Sequence, residues 1–380
     1  MIPASLDFDT AVVGAGVVGV AAGAALAATG RSVVVFETRD GIAQIGTSRN
    51  SEVVHAGIYY PKQSLKATLC RRGSDLLYAR CEVRRVGHKR IGKLIVATCD
   101  EEIPKLEALL SAARENNVPD ISMIDAAELV RLEPDVAGVA ALHSRATGIV
   151  DAHGLCLSYL AEMEEHGGTL LVDHKVMVLD RERDHWRVVV RTRAGEGDEQ
   201  TLRCHEVVNA AGLEADQVAK LAGVDIDAAG YRIYRCKGDY FALAPGADVK
   251  LKQLVYPVGS ASGAGLGVHA TLDLAGRVRF GPDAHYVSDI DYQVDGTKAS
   301  AFAAAVARYL PAMRAEWLTP DFAGIRSKLA AEGSGFRDFV VGEESDKGLP
   351  GLVSCVGIES PGLTASGAIA ERVVGLLDAR

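Results

Sequence analysis

No two of the seven cysteines (Cys70, Cys81, Cys99, Cys156, Cys204, Cys236 and Cys355) stand three residues apart. The chain therefore has no C-x-x-C pair, which argues against a zinc knuckle and against dithiol redox chemistry. An odd, scattered set reads as reduced thiols, most of them buried as small apolar side chains. No metal-ligating set is expected. Apolar runs of the roughly 18–20 residues a membrane span needs are also missing. The small apolar stretch from Ala11 to Ala28 is preceded by Asp7 and Asp9, whereas a secretory signal has a basic start. Basic runs are absent too. With 41 Lys and Arg against 50 Asp and Glu, the net charge of −9 argues against a nucleic-acid partner. It leaves room for a local basic pocket that takes an acidic small molecule.

What the chain does have is glycine. Forty glycines in 380 residues point to tight turns or close backbone approaches to a ligand, and the length suits two interleaved domains. The N-terminal segment has the clearest pattern. Asp9-Thr10-Ala11-Val12-Val13 reads as a buried parallel strand that runs straight into Gly14-Ala15-Gly16-Val17-Val18-Gly19. An Ala-rich helix follows to about Thr29, with Gly30 as its C′ residue, and Ser32–Phe36 is a second strand ending on Glu37. Gly14 allows the tight turn, Gly16 lets the backbone approach a pyrophosphate, and Gly19 lets helix and strand pack closely. The helix start offers N–H groups and a positive dipole end to phosphates. Glu37, 23 residues beyond Gly14, is placed to accept hydrogen bonds from an adenosine ribose.

A βαβ unit does not by itself choose between dinucleotides. Gly46-Thr47-Ser48-Arg49-Asn50-Ser51 is too short and irregular for an immediate third Rossmann strand. Two later strands end in small-residue turns, Glu206-Val207-Val208-Asn209-Ala210-Ala211-Gly212 and Gly351–Gly357. The second of them leads through Ile358-Glu359-Ser360-Pro361-Gly362-Leu363-Thr364 into a helix expected to start near Leu363–Thr364. A second G-x-G-x-x-G after a strand is missing, since Gly263-Ala264-Gly265-Leu266-Gly267 has the wrong spacing. Electrons are thus expected to enter from the substrate and not from NAD(P)H.

A binding domain built from such scattered pieces resembles the FAD-dependent amino-acid and hydroxy-acid oxidase (D-amino-acid oxidase-like) superfamily. More closely, Arg49–Tyr60, Gly267-Val268-His269 with Gly281-Pro282, and Gly357–Thr364 resemble the L-2-hydroxyglutarate dehydrogenase/oxidase family over nearly the whole chain. The resemblance implies FAD, a small carboxylate substrate such as L-2-hydroxyglutarate, and oxygen or a quinone as electron acceptor. The chain reads as soluble and cytoplasmic, with peripheral contact at the inner membrane compatible with a quinone. The cofactor contacts expected are Gly14, Gly16, Val17, Val18, Gly19, Glu37, Thr38, Thr47, Ser48, Asn50, Ser51, Val176, Ala210, Ala211 and Gly212. The C-terminal segment adds Gly357, Glu359, Ser360, Pro361, Gly362, Leu363 and Thr364.

The fold class expected is α/β (α+β overall). A Rossmann-type FAD domain made of residues 1–85, 146–228 and 322–380 is interleaved with an antiparallel-sheet substrate domain of residues 86–145 and 229–321. Helices are expected at Asp100–Asn116, Glu128–Pro134, His153–His166 and Ala299–Leu310. Strands are expected near Thr169–Val172, Lys175–Arg183 and His185–Arg193, with a hairpin loop at Ala194–Gln200.

For the chemistry, the start of the last helix can face the flavin pyrimidine, where negative charge collects on reduction. His55, which the family likeness places near the flavin, can take the hydroxyl proton of an α-hydroxy acid while hydride leaves for flavin N5. His269 is the rival base. Arg326 is expected to anchor the carboxylate, and Tyr256 can assist through its hydroxyl. A dicarboxylate needs a second cation, for which Lys237 and Lys328 are the candidates. Two other readings stay open: amine oxidation within the same superfamily, and a flavin-binding subunit without turnover.

Overall fold

A computed structural model of the chain describes residues 6–192, 198–259 and 267–379. Residues 193–197 of the expected hairpin region, and Gly263–Leu266 of the glycine run, lie outside these described residues.

The N-terminal unit forms as its sequence dictates. The β-branched strand Phe8–Val13 pairs in parallel with Val33–Phe36 on one side and with Glu199–Asn209 on the other. Between the first two runs the helix Val17–Ala28, of whose twelve residues ten are buried. Gly14 sits at φ +103°, and a Cβ there would stand 2.6 Å from the Ala210 carbonyl oxygen. A Cβ on Gly19 would stand 1.8 Å from the Gly14 oxygen, so only glycine lets helix and turn meet this closely. The sheet grows to eight strands. Thr169–Leu171 lies at one edge, the antiparallel hairpin His174–Glu182 and His185–Thr192 at the other, and Leu349–Val356 pairs in parallel with the end of Glu199–Asn209. Val340–Glu344 completes it against Leu349–Val356.

Three helices cover one face of this sheet: Val17–Ala28, Ala152–Glu165 and the C-terminal Gly362–Asp378, the last also packed on Leu65–Arg84. Gly73 permits that last contact, since a Cβ on it would lie 2.4 Å from the Thr364 carbonyl oxygen. The C-terminal helix starts at Gly362, one to two residues before the sequence alone suggests.

A second sheet of nine strands is antiparallel except where Lys93–Ala97 pairs in parallel with Leu254–Pro257. Its long strand Leu318–Lys328 pairs along most of its length with Tyr234–Leu243, so a domain boundary at residue 322 falls inside a strand of this sheet. All five residues of Lys93–Ala97 are buried, because the helix Ile103–Glu115 and neighbouring strands close the sheet over them. A small sheet of Val53–Val54, Gly148–Val150 and His88–Lys89 ties the two halves together. The helix at Ala299–Ala307 ends three residues earlier than expected. No cysteine is bridged, and all but Cys99 are buried. Among the described residues no helix is long and apolar enough to cross a membrane.

Candidate active site

A cleft of about 1870 Å³ runs from the glycine turn of the first sheet to the inner face of the second. That is roughly twice the upper size of an ordinary small-molecule pocket, enough for an extended cofactor with a second ligand beside it.

At the first-sheet end the wall holds Gly14, Gly16, Val17, Val18, Glu37, Thr38, Val176, Ala210, Ala211 and Gly212. The Glu37 carboxylate is pinned at the strand end, accepting hydrogen bonds from the Ala15 and Arg39 backbone N–H groups, each at 2.9 Å. Its other lone pairs stay available to a ribose. Thr47 Oγ1 accepts from Val17 N–H at 3.0 Å and folds the polar loop over the helix start. Asn50 faces the cleft, but its amide donates to the Gly46 and Thr47 carbonyls and accepts from Glu52 N–H, so its side chain holds the turn. Ser51 is joined to Tyr240 at 2.9 Å.

At the far end the helix Gly362–Asp378 has no side-chain cap, which leaves first-turn N–H groups open to an acceptor in the cleft. Glu359, Ser360, Pro361, Gly362 and Leu363 form this floor. Glu359 is buried beside it and bridges two cations, Lys66 at 2.9 Å and Lys328 at 3.0 Å. Burial opposes its ionisation, but the attraction of Lys66 and Lys328 prevails and holds the carboxyl below the usual range.

The candidate bases stand apart in character. His55 is fixed from two sides: its backbone N–H donates to Thr364 Oγ1 at 2.9 Å, and its ring Nε2 lies 3.2 Å from Ser360 Oγ. Crowding by protein, and then the charge of Lys93, lower its pKa to about 3, so the ring is neutral across the physiological range. His269 stacks on Tyr256 with ring centroids 3.6 Å apart. Both face the cleft. Arg326 is held there by Cys236 Sγ at 3.4 Å and the Asp283 carbonyl at 3.0 Å, which occupies two of its five N–H groups and leaves the others for a carboxylate.

Several expectations need correction. Lys237 is buried away from the cleft. It lies 3.6 Å from Asp239 and 3.5 Å from Asp291 and also bonds to the Gln293 carbonyl, so its charge is already neutralised within the protein. Lys328 does reach the cleft, but as the partner of Glu359. Thr364 is fully buried, its hydroxyl consumed by His55 N–H and the Val53 carbonyl. Ser48 is exposed and bonds to the Ile45 carbonyl, and Gly19 and Gly357 act in packing behind the wall. Residues the sequence did not single out include Lys66, Tyr240 and Lys93. Only Lys93 carries a hint, as a cation opening an apolar strand.

The family model for FAD dependent oxidoreductases (DAO) matches residues 9–376. The chain belongs to the DAO family of FAD-dependent oxidoreductases. This oxidoreductase is 38% identical over 400 residues to the mitochondrial L-2-hydroxyglutarate dehydrogenase of Arabidopsis thaliana, covering 96% of this chain and 82% of that one. Against the mitochondrial L-2-hydroxyglutarate dehydrogenase of Homo sapiens the identity is 35% over 289 residues, covering 73% of this chain and 61% of that one. Its fold matches that of FAD-bound L-alpha-glycerophosphate oxidase from Mycoplasma pneumoniae with a TM-score of 0.84 at 24% identity, covering 98% of this chain and 94% of that one. Glycine oxidase from Geobacillus kaustophilus gives 0.81 at 20% identity, covering 99% and 96%. The oxidoreductase fits FAD at both ends: a glycine turn with Glu37 at one, an uncapped helix start at the other, and one continuous cleft between them.

Proposed function

We propose that this oxidoreductase converts L-2-hydroxyglutarate to 2-oxoglutarate. The observation that carries the reading is the convergence on one cleft of a pre-oriented guanidinium, Arg326, and two histidines, His55 and His269. The likeness to dehydrogenases named for this acid supports the substrate.

When bound, FAD supplies the hydride acceptor. The chain does the rest. Arg326 takes the carboxylate next to the hydroxyl-bearing carbon through two of its three remaining N–H groups and fixes which hydrogen faces the floor. His55, neutral and tethered, accepts the hydroxyl proton at a ring nitrogen, with His269 as the alternative acceptor. The uncapped helix start favours negative charge at the floor. Electrons then pass to oxygen or to a quinone, from an enzyme that works in a cytoplasmic compartment and meets its acceptor at a membrane surface when that acceptor is a quinone.

The test is anaerobic addition of L-2-hydroxyglutarate to the yellow protein, with the D-enantiomer as control. Bleaching of the visible flavin absorbance by the L-form alone is expected. Bleaching by an amino acid or secondary amine instead would overturn the substrate and move the enzyme to amine oxidation. Re-oxidation by air against re-oxidation by a soluble quinone identifies the acceptor.

A further inference from the structure

Lys93 opens the strand Lys93–Ala97 and is only 1% exposed. Lysines are almost never buried this completely unless a partner neutralises them. Here, among the described residues, no carboxylate lies within ion-pair distance of its Nζ. The ammonium instead lies over two aromatic faces, 4.7 Å from the Tyr59 ring centre and 4.8 Å from that of Tyr256. Both tyrosines line the cleft, and Lys93 sits behind them. Such a contact is electrostatically favourable but compensates only part of the loss of water around a buried ammonium. The site thus retains a costly cation directly behind its aromatic wall.

The groups facing this cation come from three elements. His55 and Tyr59 lie on the segment that follows Val53–Val54, Cys70 on the helix Leu65–Arg84, and Tyr256 on the neighbouring strand, where it stacks on His269. On the flanking strand Ala140–Ser144 the titratable group is His143, which answers to Arg145, Glu128 and Gln253. None of the facing groups is an acid in the ordinary range. Among the described residues none supplies a charge to answer Lys93, which leaves that part to charges that enter the cleft.

We propose that Lys93 is a positioning residue of the active site. Its ammonium anchors the Tyr59–Tyr256 wall, holds a positive charge behind it for an acidic substrate, and places His55 within its field. This deepens the proposed function and rests on it for the identity of the substrate. The structure also gives the role a pH signature. Burial lowers the Lys93 pKa to about 7, so the free enzyme loses the charge as pH rises through neutrality. Substrate affinity then falls on the alkaline side.

The experiment compares FAD-loaded wild type with Lys93→Met and Lys93→Arg, measuring kcat and KM for L-2-hydroxyglutarate from pH 5.5 to 9.5. In wild type kcat/KM declines above about pH 7. Lys93→Met raises KM about tenfold at pH 6, the order expected of one charge acting across roughly 10 Å of protein, and abolishes the decline. Lys93→Arg keeps the low KM and also abolishes the decline, because a guanidinium does not deprotonate there. A wild-type pH profile in either variant overturns the proposal, so Lys93→Arg alone decides should Lys93→Met fail to load FAD. NMR titration of His55 in the FAD-loaded protein needs no substrate. Its pKa is higher in Lys93→Met than in wild type, and an unmoved pKa overturns the electrostatic role even if the true substrate is a different acid.

Discussion

Two lysines, each almost fully buried beside the same cleft, are treated in opposite ways. Lys66, at the floor, faces a carboxylate at 2.9 Å, and that carboxylate is shared with Lys328. Lys93, behind the wall, has two aromatic faces and, among the described residues, no carboxylate. The difference separates what a charge does for the fold from what it does for a ligand. The Lys66–Glu359–Lys328 group is closed: two cations and one anion satisfy one another and fix the turn that starts the C-terminal helix. The wall is open: it holds Lys93 and the Tyr59 hydroxyl, which is buried and without a hydrogen bond partner among the described residues. Groups left unanswered in a folded protein are expensive unless something that binds there completes them.

The largest effect expected on the open side comes from Arg326→Ala. Losing two charge-assisted hydrogen bonds to a carboxylate costs about 3–4 kcal/mol, so kcat/KM drops roughly 10²–10³-fold. The melting temperature hardly moves, since among the described residues the arginine's hydrogen bonds are to a thiol and one carbonyl. Steady-state kinetics and calorimetry on the same preparation check this. A large loss of stability would mean that Arg326 belongs to the closed kind of site.

On the closed side Glu359→Gln is the strongest break. It leaves two cations facing each other with Lys66 buried, and a stability loss of about 3 kcal/mol is expected in denaturant titrations. The pH dependence follows from the lowered carboxyl pKa. A folded-state pKa below the unfolded one adds stability at pH values above the unfolded carboxylate range, and that stability is lost as pH falls through the folded value. The wild type therefore loses stability as pH falls below about 4 in a way that Glu359→Gln does not. Paired with it, Lys66→Met should destabilise while Lys93→Met leaves the melting temperature at pH 7 unchanged or higher. Removing Lys66 strands part of a satisfied group, whereas removing Lys93 relieves an unsatisfied one.

Gly14→Ala probes the dinucleotide end, where the constraint is steric. The φ of +103° and the 2.6 Å approach to Ala210 leave no room for a methyl group. Purified Gly14→Ala should carry less than a tenth of the wild-type flavin, read from the ratio of visible to ultraviolet absorbance. Full flavin loading would show that the turn can shift.

The same contrast separates what the amino-acid sequence reveals from what only packing decides. The glycine turn, its helix, Glu37 and the C-terminal strand–turn–helix are local patterns, in which each residue's job is set by neighbours a few positions away. The sites of Lys237 and Lys93 are set in large part by partners far along the chain. Lys237 shares its strand with Asp239, and the segment of Asp291 and Gln293, more than fifty residues on, closes over it, so a lysine that reads as a candidate ligand for substrate turns out to be neutralised. Lys93 stands in a strand covered on both faces, where alternation gives no clue to what each side chain meets. Thr364 shows the limit within a well-recognised motif. The segment is legible, but that its hydroxyl faces His55 and Val53 instead of the cleft depends on the packing of the last helix against Leu65–Arg84.

The smallest expected effect gives the sharpest form of the comparison. Tyr59→Phe deletes only the hydroxyl, and the ring that supports Lys93 remains. If that oxygen served the fold, its removal would lower stability. Because it is buried with no partner among the described residues, the variant should be as stable as wild type or more stable, by up to about 1 kcal/mol. Substrate binding should move the other way. A hydroxyl kept unsatisfied in a cleft wall gains its bond when a polar ligand arrives, so KM should rise about three- to tenfold with kcat nearly unchanged. Stability and affinity changing in opposite directions in one variant would mark the wall as polar for its ligand's sake. A loss of both would place Tyr59 with the satisfied, structural groups at the floor.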